Sequence, residues 1–225
     1  MTRKLPLLLF ALLLVAPLTV ACAAEPPAPT TEEEKTAYAV GLMISKNLAN
    51  LDLSDAEFAQ VQRAIADARA GKEAVKLEEY APKVQAMAQE RAGKRTAAEK
   101  EKGKAYAEKA AQEAGAVKTP SGLVYLETQA GTGASPSAHD KVKVHYRGTL
   151  IDGTEFDSSI KRGQPAEFEL TGVIPCWTEA LEKMKVGGKA KIVCPPEIAY
   201  GDRGRPSIPG GATLVFEVEL LEVGQ

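Results

Sequence analysis

The chain changes its grammar near residue 117, and that change constrains the fold more than any other feature. From about Thr31 to Val117 glycines are few, alanines many, and Glu, Lys and Gln abundant, a composition of good helix formers. After "KTPSG", residues 118 to 122, apolar and polar residues alternate in short runs, the period of half-buried strands. Helices first and strands afterwards predict an α+β chain with the two classes segregated along the sequence. The 225 residues accommodate one large domain or two small ones.

The first residues concern destination rather than fold. "MTRK" is basic, and the apolar run "LPLLLFALLLVAPLTVA" that follows is interrupted by Pro6 and Pro17, which makes a poor membrane span. With the small residues of "ACAA", 21 to 24, this reads as a secretory signal peptide over residues 1–23, cleaved near Cys22. A retained N-terminal anchor is the alternative. "TVAC" resembles the lipoprotein signal in which Cys22 is lipidated and becomes the new N-terminus, although Thr19 stands where leucine is usual. Cleavage after the Ala-x-Ala of Ala21, Cys22 and Ala23 is the other option. On either route an exported chain keeps Cys176 and Cys194, the even count expected for one disulfide. The expected location is the periplasm, with a tether to the outer membrane if Cys22 carries lipid.

Residues 24–30, "AEPPAPT", read as a Pro/Ala linker. Residues 31–117 read as a helical dimerisation domain and a long connecting helix. Val40, Ile44, Leu48 and Leu51 form one apolar stripe at helical spacing. In "LSDAEF" Ser54 caps a second helix, Glu57 reaches back to it, and Leu53 staples against Phe58. Phe58, Val61, Ile65 and Ala68 are its expected buried face, and Gly71 its stop. A third helix is expected from about residue 82 to 114, with Pro82 in its first turn, on the order of 50 Å long at about 1.5 Å per residue. Beyond Met87 it carries almost no large apolar residue and is expected to be a solvated arm bridging two bodies. A disordered charged linker is the alternative, because Gly93 and Gly103 each weaken a helix by up to ~1 kcal/mol relative to Ala. Helices with so few large residues make a poor core in a single chain, so a homodimer through residues 31–90 is expected.

In the strand-rich part, "KVKVHY" places Val142, Val144 and Tyr146 on one face, and "IDGT" supplies an Asp-Gly turn. "AKIVC" is a second strand, and the final "TLVFEVELLEV" points Leu214, Phe216, Val218 and Leu220 one way. "TEALEKMKVGG" reads as one short helix ending at Gly187. The expected result is an antiparallel sheet wrapped on that helix.

Charge and motifs exclude several functions. A formal net charge of -2 provides no positive field for nucleic acid. No Gly-rich phosphate loop and no G-x-S-x-G occurs, His139 and His145 make no metal-ligand pattern, and no cofactor is implied. His145 alternates away from the Val142/Val144 face and is expected at the surface. "VIPCW" sets the only tryptophan, Trp177, behind Cys176. Either the thiol is a nucleophile, for which no paired histidine is evident, or the tryptophan is a binding surface.

Five strings decide between these. "VHYRGTLIDGTEFDSS", "EFEL", "VIPCW", "EIAYGDRG" and "TLVFEVEL", in this order and spacing, closely resemble the FKBP-type peptidyl-prolyl isomerase domain, over about residues 119 to 223 of an expected 118–225 domain. The helical half, led by "AYAVGLMISKNL", is similar to the N-terminal dimerisation domain of that family's exported Mip/FkpA-like branch. The resemblance implies a half-barrel sheet whose concave side forms an apolar pocket for proline. Tyr146, Phe156, Asp157 and Tyr200 would be its catalytic residues. Phe168, Val173, Ile174, Trp177, Ile208 and Phe216 would bind substrate, with Trp177 as the floor. The Tyr200 hydroxyl and the Ile174 N–H would hydrogen-bond substrate carbonyls, and Asp157 would sit by the rotating carbonyl and help hold Tyr146. FK506/rapamycin-type macrolides are implied as further ligands. Three departures stand out: Ala166 for an aromatic, which would widen one wall, Cys176 for the usual glycine before the tryptophan, and a shortened "GDRGRPSIPGG". A Cys176–Cys194 disulfide would pin the turn carrying Trp177, closing about 19 residues for roughly 3 kcal/mol; two buried free thiols are the alternative.

Such a pocket suits one reaction. An X-Pro bond rotates over a barrier near ~20 kcal/mol, and in the twisted state the amide loses resonance and its C=O becomes less polar. A dry cleft favours that species over the planar one without proton transfer or a covalent bond. The leading expectation is an exported, dimeric prolyl isomerase acting on proline-containing unfolded or partly folded proteins. The alternative is a holdase-type chaperone in which the pocket is secondary.

Overall fold

The structure, a computed structural model, describes residues 27–224. The signal-peptide and lipidation readings, Cys22 included, fall outside the described residues. No described helix is long and apolar enough to cross a membrane. The chain divides into two compact units, Met1–Asn47 and Leu48–Gln225.

In the first unit, α1 (Glu32–Leu48) opens on three acidic residues, which favour the positive end of the helix dipole. The Glu34 N–H donates to Thr31 Oγ1, and its carboxylate accepts from the N–H groups of Thr30 and Thr31, a reciprocal cap absent from the sequence reading. Tyr38, Val40, Leu42, Met43 and Ile44 are exposed.

In the second unit, α2 (Asp55–Ala70) has the expected capping box of Ser54 and Glu57, and Gly71 closes it at φ 64°. Its apolar stripe is not a buried face: no residue of α2 is buried, and Phe58 and Ile65 stay exposed. Polar contacts moor the helices instead. Arg91, on α3 (Leu77–Ala110), donates to the Leu51 and Asp52 carbonyls and pairs with Glu57 at 2.5 Å. Arg95 donates to the Asn50 carbonyl and pairs with Asp52 at 2.6 Å. The left-handed Asp52, φ 45°, is held by both arginines. The hydrogen bond from Arg91, with those of Ser54, holds the Glu57 carboxyl down at about 2.

α3 corrects the expectation twice. It begins at Leu77, so Pro82 lies inside the helix rather than in its first turn, and it ends at Ala110 rather than near 114. Nor is it a free solvated arm. Gly103, Ala107 and Ala110 are buried, and the two alanines pack with Val124, Val193 and Val215 on the outer face of the sheet. A Cβ at Gly103 would stand 2.1 Å from Thr213 Oγ1. The scarcity of large residues, read as solvation, is what lets the helix approach so closely.

The sheet follows: β1 (Ala116–Lys118), β2 (Val124–Gln129), β3 (Lys141–Leu150), β4 (Glu155–Ser158), the one-turn α4 (Ser159–Arg162), β5 (Ala166–Glu169), α5 (Pro175–Glu182), β6 (Lys189–Cys194) and β7 (Leu214–Gly224). Strand order is β1-β2-β6-β7-β3-β4, with β5 also on β3, and every pairing is antiparallel. β3 runs along β7 from Lys141↔Gly224 to Leu150↔Leu214, shifting register between Lys143 and Val144. The inward residues of both strands, Val142, Val144, Tyr146, Leu214, Phe216, Val218 and Leu220, join Trp177, Ala180 and Leu181 of α5 in one core. α5 starts earlier than the helix expected from Thr178, because Pro175 fits the first helical position. It stops at Glu182; Gly187, φ 85°, serves a later turn and donates its N–H to the Leu220 carbonyl.

The two mid-helix glycines of α3, alike in sequence, differ in surroundings. Gly103→Val forces α3 away from Thr213 and is expected to lower the denaturant-derived stability by about 2 kcal/mol. Gly93, with nothing within 4 Å of its added Cβ, is expected to gain up to ~1 kcal/mol as Gly93→Ala.

Candidate functional site

Four rings meet on the concave side of the sheet. Trp177, delivered by the first turn of α5, makes edge-to-face contacts with Tyr146 of β3, Phe168 of β5 and Phe216 of β7, at centroid separations of 5.1, 5.4 and 5.3 Å. Phe156 of β4 stands edge-on to Phe216 at 5.6 Å. Such pairs each contribute about 0.5–1.5 kcal/mol beyond their buried area. Gly148 on β3 makes the arrangement possible, since its Cβ would lie 2.7 Å from the Phe156 ring and 2.9 Å from that of Phe216.

The indole is held by packing, not by a hydrogen bond: Trp177 Nε1 is buried without a partner among the described residues. The second support is covalent. Cys176 and Cys194, both fully buried, form a disulfide with a Cα–Cα distance of 5.8 Å. It ties the turn before Trp177 to the last residue of β6, and the free-thiol alternative falls.

These rings line a cleft of about 430 Å³ together with Asp157, Val173, Ile174, Ala199, Tyr200 and Arg205. Nine of the ten sequence-predicted site residues are therefore brought together. Ile208 is not: it is buried in the core, in a two-hydrogen-bond bridge with Arg205. From the same loop Arg205 lines the cleft. Ala166 pairs with Val144 on β5 and does not line the cleft.

The polar side of the cleft rests on a residue the sequence reading missed. Asp157 accepts from the Tyr146 hydroxyl and from Arg162 Nη1, while Arg162 Nη2 donates to the Tyr146 hydroxyl at 3.0 Å. α4 aims Arg162: the Ser158 hydroxyl caps it by accepting from the Lys161 N–H, and Gly163 ends it at φ 75°. The signal was present in "DSSIKRG", a cap and a stop five residues apart around two basic residues. Ser159 supports the same corner by accepting from the Tyr146 N–H at 2.8 Å. Its hydroxyl also meets His145 Nδ1 at 3.1 Å, which leaves His145 half-buried rather than at the surface.

Burial pushes the Asp157 carboxyl up, but the hydrogen bonds from Tyr146 and Arg162, with the guanidinium charge, outweigh it and hold the group below the usual aspartate range. Burial, and then the bond to Asp157, push the Tyr146 phenol up. The Ile174 N–H and the Tyr200 hydroxyl have no partner among the described residues, so the lining presents two unused donors in apolar surroundings.

A second depression, about 320 Å³, lies on the other face of the sheet. Its Lys189 pairs with Glu219 and its Lys191 with Glu113. No cluster of His, Cys, Asp or Glu suited to a metal ion occurs among the described residues.

The fold, an open antiparallel sheet around one helix, is shared with known proteins. Residues 133–221 match the family described as FKBP-type peptidyl-prolyl cis-trans isomerase, and residues 33–126 the domain amino terminal to FKBP-type peptidyl-prolyl isomerase. FkpA of Escherichia coli O6:H1 is 43% identical over 235 residues, covering 95% of this chain and 87% of that protein. Outer membrane protein MIP of Legionella longbeachae is 36% identical over 230 residues, 98% of each. The crystal structure of FkpA from Escherichia coli matches with a TM-score of 0.70 at 42% identity, covering 88% of this chain and 99% of that one. The chain belongs to the FKBP-type peptidyl-prolyl cis-trans isomerases and is an enzyme of that activity.

The Asp157 contacts have a measurable consequence. A depressed folded-state pKa means that the carboxylate stabilises the fold above its unfolded value near 3.8, and that this contribution is lost as pH falls through the lower folded value. In an NMR titration the Asp157 carboxyl midpoint is expected below 3.8 and is expected to rise in Arg162→Gln. A midpoint at or above the ordinary value in the parent protein contradicts the ion-pair geometry.

Proposed function

We propose that the aromatic cleft is where this isomerase binds the X-Pro bond, and that it acts on unfolded or partly folded proteins outside the cytoplasm. The observation that carries the reading is the pairing of an apolar floor, Trp177, with two unused donors, the Ile174 N–H and the Tyr200 hydroxyl. The proline ring rests on Trp177 between Tyr146, Phe168 and Phe216. The two donors hold carbonyls of the flanking chain, so the amide between them is free to twist. Phe156 and Asp157 flank the rotating carbonyl, whose polarity drops as resonance is lost. Asp157 is already engaged by Arg162 and Tyr146, so it acts through its position and field rather than by moving a proton. Rotation about a bond that spontaneously needs tens of seconds is hastened because the cleft binds the twisted form best. Its volume of about 430 Å³ and aromatic lining also suit FK506/rapamycin-type macrolides.

Export is supported by the leader sequence, by a disulfide of the kind that persists in oxidising compartments, and by a relative named for the outer membrane. Periplasmic location, with lipid on Cys22 as a tether, follows from that reading. The functional division proposed is a helical part over residues 31–117 and an isomerase part over 118–225, in line with the two family matches. The exposed apolar residues Tyr38, Leu42, Met43 and Ile44 of α1, and Phe58 and Ile65 of α2, support a homodimer through residues 31–90, since a lone chain leaves them in water.

Phe156→Ala and Asp157→Val are each expected to lower kcat/KM on a proline peptide by about tenfold or more, equivalent to ~1.4 kcal/mol of lost transition-state stabilisation, with an unchanged far-ultraviolet dichroism spectrum. Full activity in both folded variants removes the cleft from the mechanism. In sedimentation the chain is expected to run as a dimer and Met43→Glu/Ile44→Glu as a monomer, with peptide turnover per chain retained.

A further inference from the structure

The loop over residues 199–213 holds two arginines without a carboxylate partner among the described residues, Arg203 and Arg205, and of the two only Arg205 belongs to the cleft. Arg205 lines the cleft, and its guanidinium carbon lies 5.1 Å from the centroid of the Tyr200 ring. Its backbone is fixed by exchange of two hydrogen bonds with Ile208, Arg205 N–H to the Ile208 carbonyl at 2.8 Å and Ile208 N–H to the Arg205 carbonyl at 2.9 Å. The nearby carboxylates are engaged elsewhere: Asp157 by Arg162, and Asp202 by Lys100 of α3 at 2.5 Å. Among the described residues Arg205 has no carboxylate partner. The charged residues lining the cleft are thus a compensated Asp157 and an uncompensated arginine.

We propose that Arg205 gives the cleft a preference for substrates with an acidic side chain next to the proline. The inference rests on the cleft being the isomerase site and adds to it a substrate class. A chain whose carbonyl is held by the Tyr200 hydroxyl passes the ring on which Arg205 stands. A Glu or Asp beside the proline then meets a guanidinium whose planar fork binds a carboxylate through two parallel hydrogen bonds. The stacking on Tyr200 orients the fork beforehand and shields one of its faces from water. No equivalent anion on the lining repels an acidic substrate, and a basic one meets like charge.

The test uses the full-length protein and peptide pairs identical except for Glu or Gln next to the proline, placed before it in one pair and after it in the other. At low salt the parent enzyme is expected to favour the Glu peptide of one pair by about fivefold in kcat/KM, the upper range for an ion pair at an exposed rim. The preference is expected to shrink in ~0.5 M salt, where screening acts within a few ångströms. Arg205→Gln, which keeps a stem over Tyr200 but no charge, is expected to bring the ratio to about one, and Arg205→Glu to invert it. A ratio near one in the parent enzyme, or one that Arg205→Gln leaves unchanged, overturns the proposal. The Gln peptide reports separately on the cleft: if Phe156→Ala leaves its turnover intact, the site assignment fails and the acidic preference fails with it.

Discussion

The edge-to-face seating of Trp177 among Tyr146, Phe168 and Phe216 joins every layer of the catalytic part. The indole belongs to α5, while its partners come from β3, β5 and β7, so helix and sheet cannot shift without opening the cleft. Among the described residues no hydrogen bond orients the ring; packing and the Cys176–Cys194 disulfide do. Steric room is as necessary as attraction. Gly148 lets Phe156 and Phe216 close over β3 where any side chain would collide. The cleft is therefore a product of close packing.

The polar half is built by contrast from short-range chemistry. Asp157, Arg162 and Tyr146 satisfy one another, which leaves a carboxylate at an apolar site without an unpaired charge. Arg205, with no such partner among the described residues, is left as the uncompensated charge on the cleft lining.

Within the second unit α3 joins the sheet to the turn before α2, and at the sheet it does so with small residues. Gly103, Ala107 and Ala110 lie against the sheet's outer face, and Lys100 reaches Asp202 in the loop that carries Tyr200 and Arg205. Near its middle Arg91 and Arg95 hold the turn before α2 through carbonyls and carboxylates. A helix with a weak apolar pattern is thus docked at two places, by shape near its C-terminal end and by charge near its middle.

Much was legible in the chain itself. Alternation in "KVKVHY" and "TLVFEVELLEV" places the inward faces of β3 and β7, and the Ser54/Glu57 pair marks the start of α2, because each is a local pattern with a local cause; the nine residues of the cleft were named by the resemblance of the ordered motifs to the FKBP-type domain. What depended on distant neighbours was not legible. Gly93 and Gly103 are identical in sequence, and only the position of Thr213 separates them. Ile208 is buried in the core while Arg205, to which the sequence reading gave no role, lines the cleft. Arg162 matters through α4, which brings it back to Asp157 and Tyr146. The sequence by itself determined the class of fold, the strand faces and the identity of the aromatic cleft. Tertiary structure alone decided which small residues are contact points and which charges are neutralised, because those depend on the distances that folding creates between remote parts of the chain.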